Sequence, residues 1–295
     1  MKNGGMRTSI VIGIIVSCVG AGLPVSAGSI SAATPCQIPP AGKTLNESNN
    51  YALIIGIEKF DNGTLPGEFL DDDAVAMYHT LLNSSNWKEE NIKVLLNENA
   101  TKANIEDAIV HWLGDQVTKD DVVLYYFCGH SWRVTIKKKI QGINGSTMTY
   151  PYDKSKNIIT DLELGSWFDH VQSDHIVMIL DTCYSGRMYG LVKDGRTILA
   201  AGGKYLLCPV DESTYLKSGI FTYFILQGLH GIADINDDGW VTAEEAFHYA
   251  RWPTFYYSFW YQFPFNKELP LIVGPQLPYM YDNIAGSVRL TNVSG

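Results

Sequence analysis

The chain has 295 residues, of which 46% are hydrophobic, 12% aromatic and 18% charged. This is the composition of an ordinary globular protein, and it excludes the disordered and fibrous classes. The 22 Lys and Arg against 31 Asp and Glu give a formal net charge of -9, which argues against a nucleic-acid partner because such proteins need a basic face. An acidic surface suits cationic ligands such as metal ions better.

The amino-terminal segment has the pattern of a signal peptide. Two basic residues precede an apolar run over 10–22, and a small-x-small cleavage pattern ends at Ala27. We therefore expect 1–27 to be a signal peptide, 28–50 to be a linker, and the protein to be secreted or held at the cell surface. A retained membrane anchor is the alternative, although the run is shorter than the roughly 20 residues that span a bilayer. No membrane span is expected in the mature chain.

The region from Tyr51 onward alternates between strand and helix patterns. Tyr51–Ile57 is a continuous apolar run, typical of a buried parallel strand. Ala74, Met77 and Leu81 follow at helical spacing. Further strands are predicted at 92–96, 122–127, 175–180 and 197–201, and further helices near 105–113, 162–171 and 220–229. This order predicts an α/β domain over 51–290, a three-layer α-β-α fold whose mostly parallel central sheet is flanked by helices, with 131–159 irregular. Ligands of such sheets bind at the carboxyl ends of the strands.

Reactive side chains follow two of the predicted strands. His130 comes directly after the strand that ends near Phe127, and Cys183 comes after the strand that ends near Leu180. Both lie at the carboxyl edge of a parallel sheet, so the sequence predicts a Cys/His nucleophilic pair. The thiolate would attack a carbonyl and the imidazole would transfer a proton to the leaving amine. An inert, buried Cys183 is the alternative.

These motifs resemble those of the caspase-like cysteine peptidases, closest to the metacaspase and prokaryotic caspase-domain branch. The resemblance spans roughly 51–251 and follows the family order through Tyr51–Ile57, Asp72–Ala74, Tyr126–His130, Ile158–Leu164 and Asp181–Gly186. It implies a caspase-like fold and a thiol peptidase that acts on peptides or proteins.

The resemblance also implies roles for individual residues. Cys183 would be the nucleophile and His130 the general acid and base. Asp181 and Asp73 match two carboxylates of the primary specificity pocket, which would favour cleavage after Arg or Lys. The backbone N–H of Ser131 would join that of Cys183 in an oxyanion hole. For Asp73, a helix-terminal carboxylate stabilised by the dipole is an equal alternative.

Two residues beside His130 depart from the family pattern. The family normally has Ser before the Gly-His pair and Gly after it, whereas this chain has Cys128 and Ser131. A positive φ at Ser131 would be strained, which would lower activity. The runner-up is therefore a catalytically silent caspase-like module that binds calcium and serves as a surface or interaction module. A legumain-like enzyme with Asn preference is a third candidate.

A separate segment fits the calcium loop of an EF-hand. The 12 residues 234–245 place an oxygen donor at each ligand position and Gly239 at the sharp turn. The predicted ligands are Asp234, Asn236, Asp238, Trp240 through its carbonyl, Thr242 and Glu245. Calcium is thus the expected cofactor, and a single loop of this kind is typical of a millimolar structural site. An acidic turn that binds nothing specifically is the alternative.

Overall fold

The computed structural model describes residues 48–63, 69–134, 146–203, 212–213, 215–265 and 275–293. The signal peptide predicted for 1–27 and nearly all of the linker predicted for 28–50 lie outside the described residues. Among the residues described, no helix is both long enough and apolar enough to cross a bilayer.

The described chain alternates strands and helices, as the sequence predicts. The strands are β1 (Asn50–Gly56), β2 (Ile92–Leu96), β3 (Val122–Cys128), β4 (Ser131–Val134), β5 (Ser146–Thr149), β6 (Ile159–Thr160), β7 (His175–Asp181), β8 (Arg196–Ala200), β9 (Glu212–Ser213), β10 (Ser218–Gly219), β11 (Trp240–Thr242), β12 (Tyr279–Asp282) and β13 (Arg289–Asn292). The α-helices are α1 (Leu70–Leu82), α2 (Lys102–Asp107), α3 (Gly114–Gln116), α4 (Asp161–Phe168), α5 (Ile220–Gln227) and α6 (Ala243–Phe265). Wider π-helical turns follow α2 at Ala108–Leu113 and α5 at Gly228–Ile232.

The central sheet has six strands in the order β12-β8-β7-β3-β1-β2. Five of them are parallel, and β12 pairs with β8 antiparallel at one edge. Helices flank this sheet, so the predicted α/β fold with a mostly parallel central sheet is confirmed. The segment expected to be irregular instead contributes the small antiparallel sheet β4-β5-β6. Its strands are only two to four residues long, too short for an alternating pattern to stand out in the sequence.

The core lies on both faces of the central sheet. In β3 the side chains of Leu124 and Tyr126 belong to one buried cluster, whereas those of Val123 and Tyr125 belong to the other. Alternating side chains point to opposite faces of a strand, so a strand covered on both faces reads as a continuous apolar run.

Helix α1 packs closely against the end of β1. A Cβ atom at Gly56 would lie 2.6 Å from the Cβ of Ala74 and 2.6 Å from the carbonyl oxygen of Leu70. Only glycine permits this approach, which brings the first turn of α1, with Asp73, to the carboxyl edge of the sheet.

Candidate active site at the carboxyl edge of the sheet

His130 and Cys183 occupy equivalent positions after two neighbouring strands. Strands β3 and β7 are parallel, with Cys128 opposite Asp181 in the register. The N–H of Gly129 donates to the carbonyl oxygen of Asp181 at 3.3 Å, which extends the pairing by one residue. His130 and Cys183 each lie two residues beyond this last pair, so the register places both on the same short stretch of the sheet edge.

Ser131 joins the two strand ends. Its hydroxyl donates a hydrogen bond to the carbonyl oxygen of Cys183. Ser131 is not among the described residues with positive φ, so the strain considered from the sequence does not arise. Tyr184, the residue after Cys183, instead has the left-handed backbone conformation, with φ of 57°. Its ring packs edge-on against the ring of Trp132, with the centroids 6.0 Å apart. Non-glycine residues with positive φ are uncommon and concentrate at functional sites.

The turn after Cys183 is fixed by hydrogen bonds to the rest of the sheet. The hydroxyl of Ser185 accepts from the N–H of Gly202 at 2.9 Å, just beyond the end of β8. The hydroxyl of Tyr281 on β12 donates to the carbonyl oxygen of Gly186 at 2.8 Å. Cys183 itself is partly exposed. It therefore lies in a turn that hydrogen bonds fix and that solvent can reach.

Asp181 is fully buried at the end of β7. Its Oδ2 accepts two hydrogen bonds from Thr222, one from the backbone N–H at 2.9 Å and one from the hydroxyl at 2.6 Å. Its Oδ1 is also buried and has no hydrogen-bond partner. Burial raises the pKa of Asp181 to about 6, and the hydrogen bonds from Thr222 oppose that rise.

Asp73 lies beside it, in the first turn of α1, and is 2% exposed. Its Oδ1 accepts from the hydroxyl of Ser218 at 2.6 Å and its Oδ2 from the N–H of Gly219 at 2.8 Å. Burial raises the pKa of Asp73 to about 8; the bonds from Ser218 and Gly219 lower it, while the charge of Asp181 adds to the rise. The structure thus brings together the two carboxylates predicted for the pocket.

Cys128 completes this buried group. Its Sγ lies 3.8 Å from Oδ2 of Asp73, to which the thiol donates. One ligand atom from each of Asp73, Cys128 and Asp181 lies within 4.8 Å of the other two. We refer to these three residues as the Asp-Cys-Asp cluster.

Sequence reasoning missed the residues that hold the cluster. Ser218 and Gly219 form β10, and Thr222 lies in the first turn of α5, yet no motif marks this segment. A Cβ atom at Gly219 would lie 2.6 Å from Oδ2 of Asp181 and 3.2 Å from Oδ2 of Asp73. The close approach of the Gly219 backbone to the two carboxylates therefore requires glycine. This single glycine before an apolar helix is the only feature of the sequence that could have indicated the contact.

Hydrogen bonds between its own residues hold the loop 234–245, which the sequence predicts to bind calcium. The carboxylate of Asp234 accepts from the N–H groups of Asp238 and Gly239, at 3.2 and 3.0 Å. Asn236 also accepts from the N–H of Asp238, at 2.8 Å, and Asp238 accepts from the N–H of Trp240, at 2.9 Å. Gly239 has φ of 81°, the left-handed turn for which the pattern reserves glycine.

The last predicted ligand, Glu245, lies at the start of α6. Its Oε2 accepts from the N–H and the hydroxyl of Thr242, both at 3.0 Å, while its buried Oε1 has no hydrogen-bond partner. A buried carboxylate oxygen without a donor fits a cation ligand. Within the described ranges, the Asp-Cys-Asp cluster is the only group of three or more His, Cys, Asp or Glu residues with ligand atoms this close. No three of the loop carboxylates therefore have ligand atoms that all lie within 4.8 Å of one another.

Arg289 of β13 reaches the same loop. Its guanidinium lies 3.4 Å from Oδ2 of Asp238 and stacks on the ring of Trp240 at 5.0 Å. Strand β13 pairs antiparallel with β11, which covers Trp240–Thr242 of the loop. Strand β13, which follows α6 in the chain, therefore stabilises the loop through strand pairing and through the contacts of Arg289.

One known protein family matches a segment that is just under half of the chain. The family model described as "Metacaspase, peptidase C14 domain" matches residues 50–192. That segment contains Asp73, His130, Asp181 and Cys183 but ends before the loop 234–245. The match supports a cysteine-type peptidase domain.

The chain also resembles individual proteins. Metacaspase-9 of Arabidopsis thaliana is 26% identical over 151 residues, which are 48% of this chain and 45% of that protein. The chain thus matches just under half the length of this curated relative. The crystal structure of protein GSU0716 from Geobacter sulfurreducens aligns with a TM-score of 0.55 and 16% identity, and the alignment covers 80% of this chain and 94% of that one. This second likeness is one of fold alone.

Proposed function

We propose that the chain is an exported cysteine endopeptidase of the metacaspase type, with Cys183 as nucleophile and His130 as general acid and base. The observation that carries this proposal is the β3/β7 register, which sets the two residues at equal distances beyond the paired Cys128 and Asp181. The metacaspase match over 50–192 supports the same reading.

The proposed reaction gives each of these groups a role. His130 accepts the thiol proton of Cys183, the thiolate attacks the scissile carbonyl carbon, and the N–H groups of Ser131 and Cys183 donate to the oxyanion that forms. His130 then transfers a proton to the leaving amine, which departs and leaves a thioester on Cys183. Water, deprotonated by His130, attacks the thioester and releases the acid and the thiol.

The buried carboxylates support cleavage after Arg or Lys. Asp73 and Asp181 lie side by side, and the ion pairs within the described part of the chain involve neither of them. A substrate guanidinium or ammonium would compensate their charge. Ser218 and Gly219 now cover Asp73, so a basic side chain reaches it by sharing or replacing their hydrogen bonds.

Calcium is the cofactor that the loop 234–245 supports. Asp234, Asn236, Asp238 and Glu245 would bind it through side-chain oxygens, Trp240 through its carbonyl and Thr242 at position nine. The fit rests on the unpartnered Oε1 of Glu245 and the left-handed Gly239. Bound calcium would neutralise these carboxylates and fix the start of α6.

Export rests on the sequence of residues 1–27, with a retained amino-terminal anchor as the alternative. Mature protein recovered outside the cell should begin at Gly28. Amino-terminal sequencing tests this directly, since an anchored protein would still carry residues 1–27.

The test of activity is hydrolysis of peptides that end in Arg, Lys, Asn or Asp, under reducing conditions, with calcium or a chelator. We expect turnover after Arg and Lys, none with Cys183→Ala, and at least a tenfold loss of kcat/KM with Asp181→Asn. Asp174→Asn is the matched control, because Asp174 lies just before the opposite end of β7 and is exposed. No turnover by the folded protein would reject the peptidase proposal.

The enclosure of Asp73 and Asp181 favours a second candidate, a catalytically silent calcium-binding module that acts in surface interactions. It predicts that calcium still raises the melting temperature while no peptide is cleaved. The same experiment therefore separates the two candidates.

A further inference from the structure

The Asp-Cys-Asp cluster has the chemistry of a binding site for a thiophilic divalent cation. Its three side chains come from three elements, α1, β3 and β7, and each is at least 98% buried: Asp73 is 2% exposed and the other two are 0% exposed. The sulfur is the unusual member, since it stands at a position where the resemblance calls for Ser.

The geometry of the cluster suits zinc. Ligands at about 2.0 to 2.3 Å from a tetrahedral zinc ion lie roughly 3.3 to 3.8 Å from one another. Sγ of Cys128 is 3.8 Å from Oδ2 of Asp73, and all three ligand atoms lie within 4.8 Å of one another. Small movements of the three side chains would bring their ligand atoms to the separations found around a tetrahedral zinc ion.

An independent feature points to a ligand. Oδ1 of Asp181 is completely enclosed yet accepts no hydrogen bond, whereas Oδ2 of the same carboxylate accepts two. A buried polar atom without a partner calls for water, a proton or an ion. Thiolate ligands select zinc over calcium or magnesium, which prefer oxygen.

We propose that Asp73, Cys128 and Asp181 bind Zn²⁺ through two carboxylate oxygens and one thiolate, and that this zinc blocks the specificity pocket. Binding forms one zinc–sulfur and two zinc–oxygen bonds and releases to solvent the thiol proton and any proton held by the carboxyls. Three protein ligands leave one coordination position for water. Blocking rests on the proposed function, because the zinc would occupy the carboxylates assigned to the basic side chain of the substrate.

The first test measures metal binding without activity. Co²⁺ is titrated into Cys183→Ala in the presence of saturating calcium. The substitution removes the thiol of the Cys/His pair, and the calcium fills the oxygen-rich loop 234–245. We expect one equivalent of Co²⁺ with a thiolate-to-metal charge-transfer band, displaced by Zn²⁺. The band should disappear in Cys183→Ala/Cys128→Ser. A band of equal strength in both variants, or none in either, would overturn the proposal.

A second variant keeps the test decisive if the Cys128→Ser substitution prevents folding. Asp73→Asn keeps the thiol and should weaken Zn²⁺ at least tenfold in a competition titration with a chromophoric chelator. Asp174→Asn should match the parent. Circular dichroism confirms that each variant is folded, and equal zinc affinity in Asp73→Asn would exclude Asp73 as a ligand.

The inhibitory role is tested separately on the enzyme. Zn²⁺ should raise the apparent KM for an Arg peptide, and excess substrate should reverse the effect. Inhibition that lowers kcat alone would place the zinc elsewhere. If no peptide is cleaved, the peptidase proposal fails while the Co²⁺ titration still decides the metal site.

Discussion

Thr222 holds Asp181 through two hydrogen bonds, from its backbone N–H at 2.9 Å and from its hydroxyl at 2.6 Å. The same hydroxyl lies 2.8 Å from the hydroxyl of Tyr126 on β3. Since Thr222 belongs to the first turn of α5, this helix, the central sheet and the buried carboxylate form one connected unit. Any movement that opens the carboxylates to a substrate must therefore act on the start of α5.

Replacing Thr222 tests the importance of that hydroxyl. Thr222→Val keeps the shape and the N–H but removes the donor to Asp181, so we expect a loss of about 1 to 3 kcal/mol in the free energy of unfolding. Thr222→Ser retains the hydroxyl and should lose less than about half as much. Urea unfolding of both variants provides the measurement. Equal stability of the two would show that the hydroxyl contributes nothing.

Replacing Ser131 tests how the turn at Cys183 is positioned. Ser131→Ala keeps the backbone N–H of the proposed oxyanion hole but removes the hydroxyl that binds the carbonyl oxygen of Cys183. Loss of a hydrogen bond worth about 1 kcal/mol should lower kcat/KM for an Arg peptide by about three- to tenfold. Ser131→Gly, which introduces the residue usual in the family, should behave similarly. Unchanged kinetics in both variants would show that this contact does not position the nucleophile.

Calcium should stabilise the fold through the loop 234–245. For a dissociation constant of about 1 mM, 10 mM calcium would add roughly 1.4 kcal/mol to the free energy of unfolding. Glu245→Gln should abolish most of that gain. Asp237→Asn is the matched control, because Asp237 is exposed, occupies no ligand position and has a positive φ that Asn tolerates. Equal calcium responses of the two variants, in thermal unfolding, would reject the loop as the site.

The buried Arg196 on β8 should depend on Asp169. The Arg196 side chain is 4% exposed and its Nη2 lies 2.6 Å from Oδ1 of Asp169. Asp169→Asn weakens that bond and should destabilise the protein by about 1 to 2 kcal/mol at neutral pH. Asp174→Asn, which removes an exposed ion pair with Lys119 at 3.3 Å, should change stability by less than about 0.5 kcal/mol.

The Asp169 effect should also depend on pH. Burial raises the pKa of Asp169, but hydrogen bonds from Lys193 and Arg196 outweigh it and leave the pKa below its usual value. A lowered folded-state pKa gives stability that is fully present above the unfolded pKa of about 3.9 and is lost as the pH falls through the folded pKa. The difference between the wild type and Asp169→Asn should thus shrink below about pH 4. A difference that is constant from pH 7 to pH 3 would contradict this assignment.

Much of the fold could be predicted because buried parallel strands leave a strong signal. Strand β3 is buried along its whole length, and its apolar run located both the strand and the residues that follow it. The parallel order then placed His130 and Cys183 at one edge. The antiparallel strands β4 and β5 were missed because they are short, and pairing rather than composition defines them.

The hydrogen bonds that enclose the carboxylates of Asp73 and Asp181 could not be predicted from the sequence. Ser218 reaches Asp73 across 145 positions of sequence, and Thr222 reaches Asp181 across 41. Such long-range hydrogen bonds are set by where the elements pack, and no spacing rule encodes them. Ser131 illustrates the same limit, since its hydroxyl contact with Cys183 and its unstrained φ depend on how the start of β4 packs against the turn after β7.

The most direct test of the central claim is covalent labelling of the purified protein with peptidyl acyloxymethyl ketones that differ only in their terminal Arg or Asp, followed by mass mapping. We expect the Arg probe to modify Cys183 in one equivalent and to leave Cys128 unmodified. The Asp probe should react far more slowly, and Asp181→Asn should remove the preference for the Arg probe. No modification of Cys183, or equal rates for both probes, would contradict a Cys183 nucleophile beside an acidic specificity pocket.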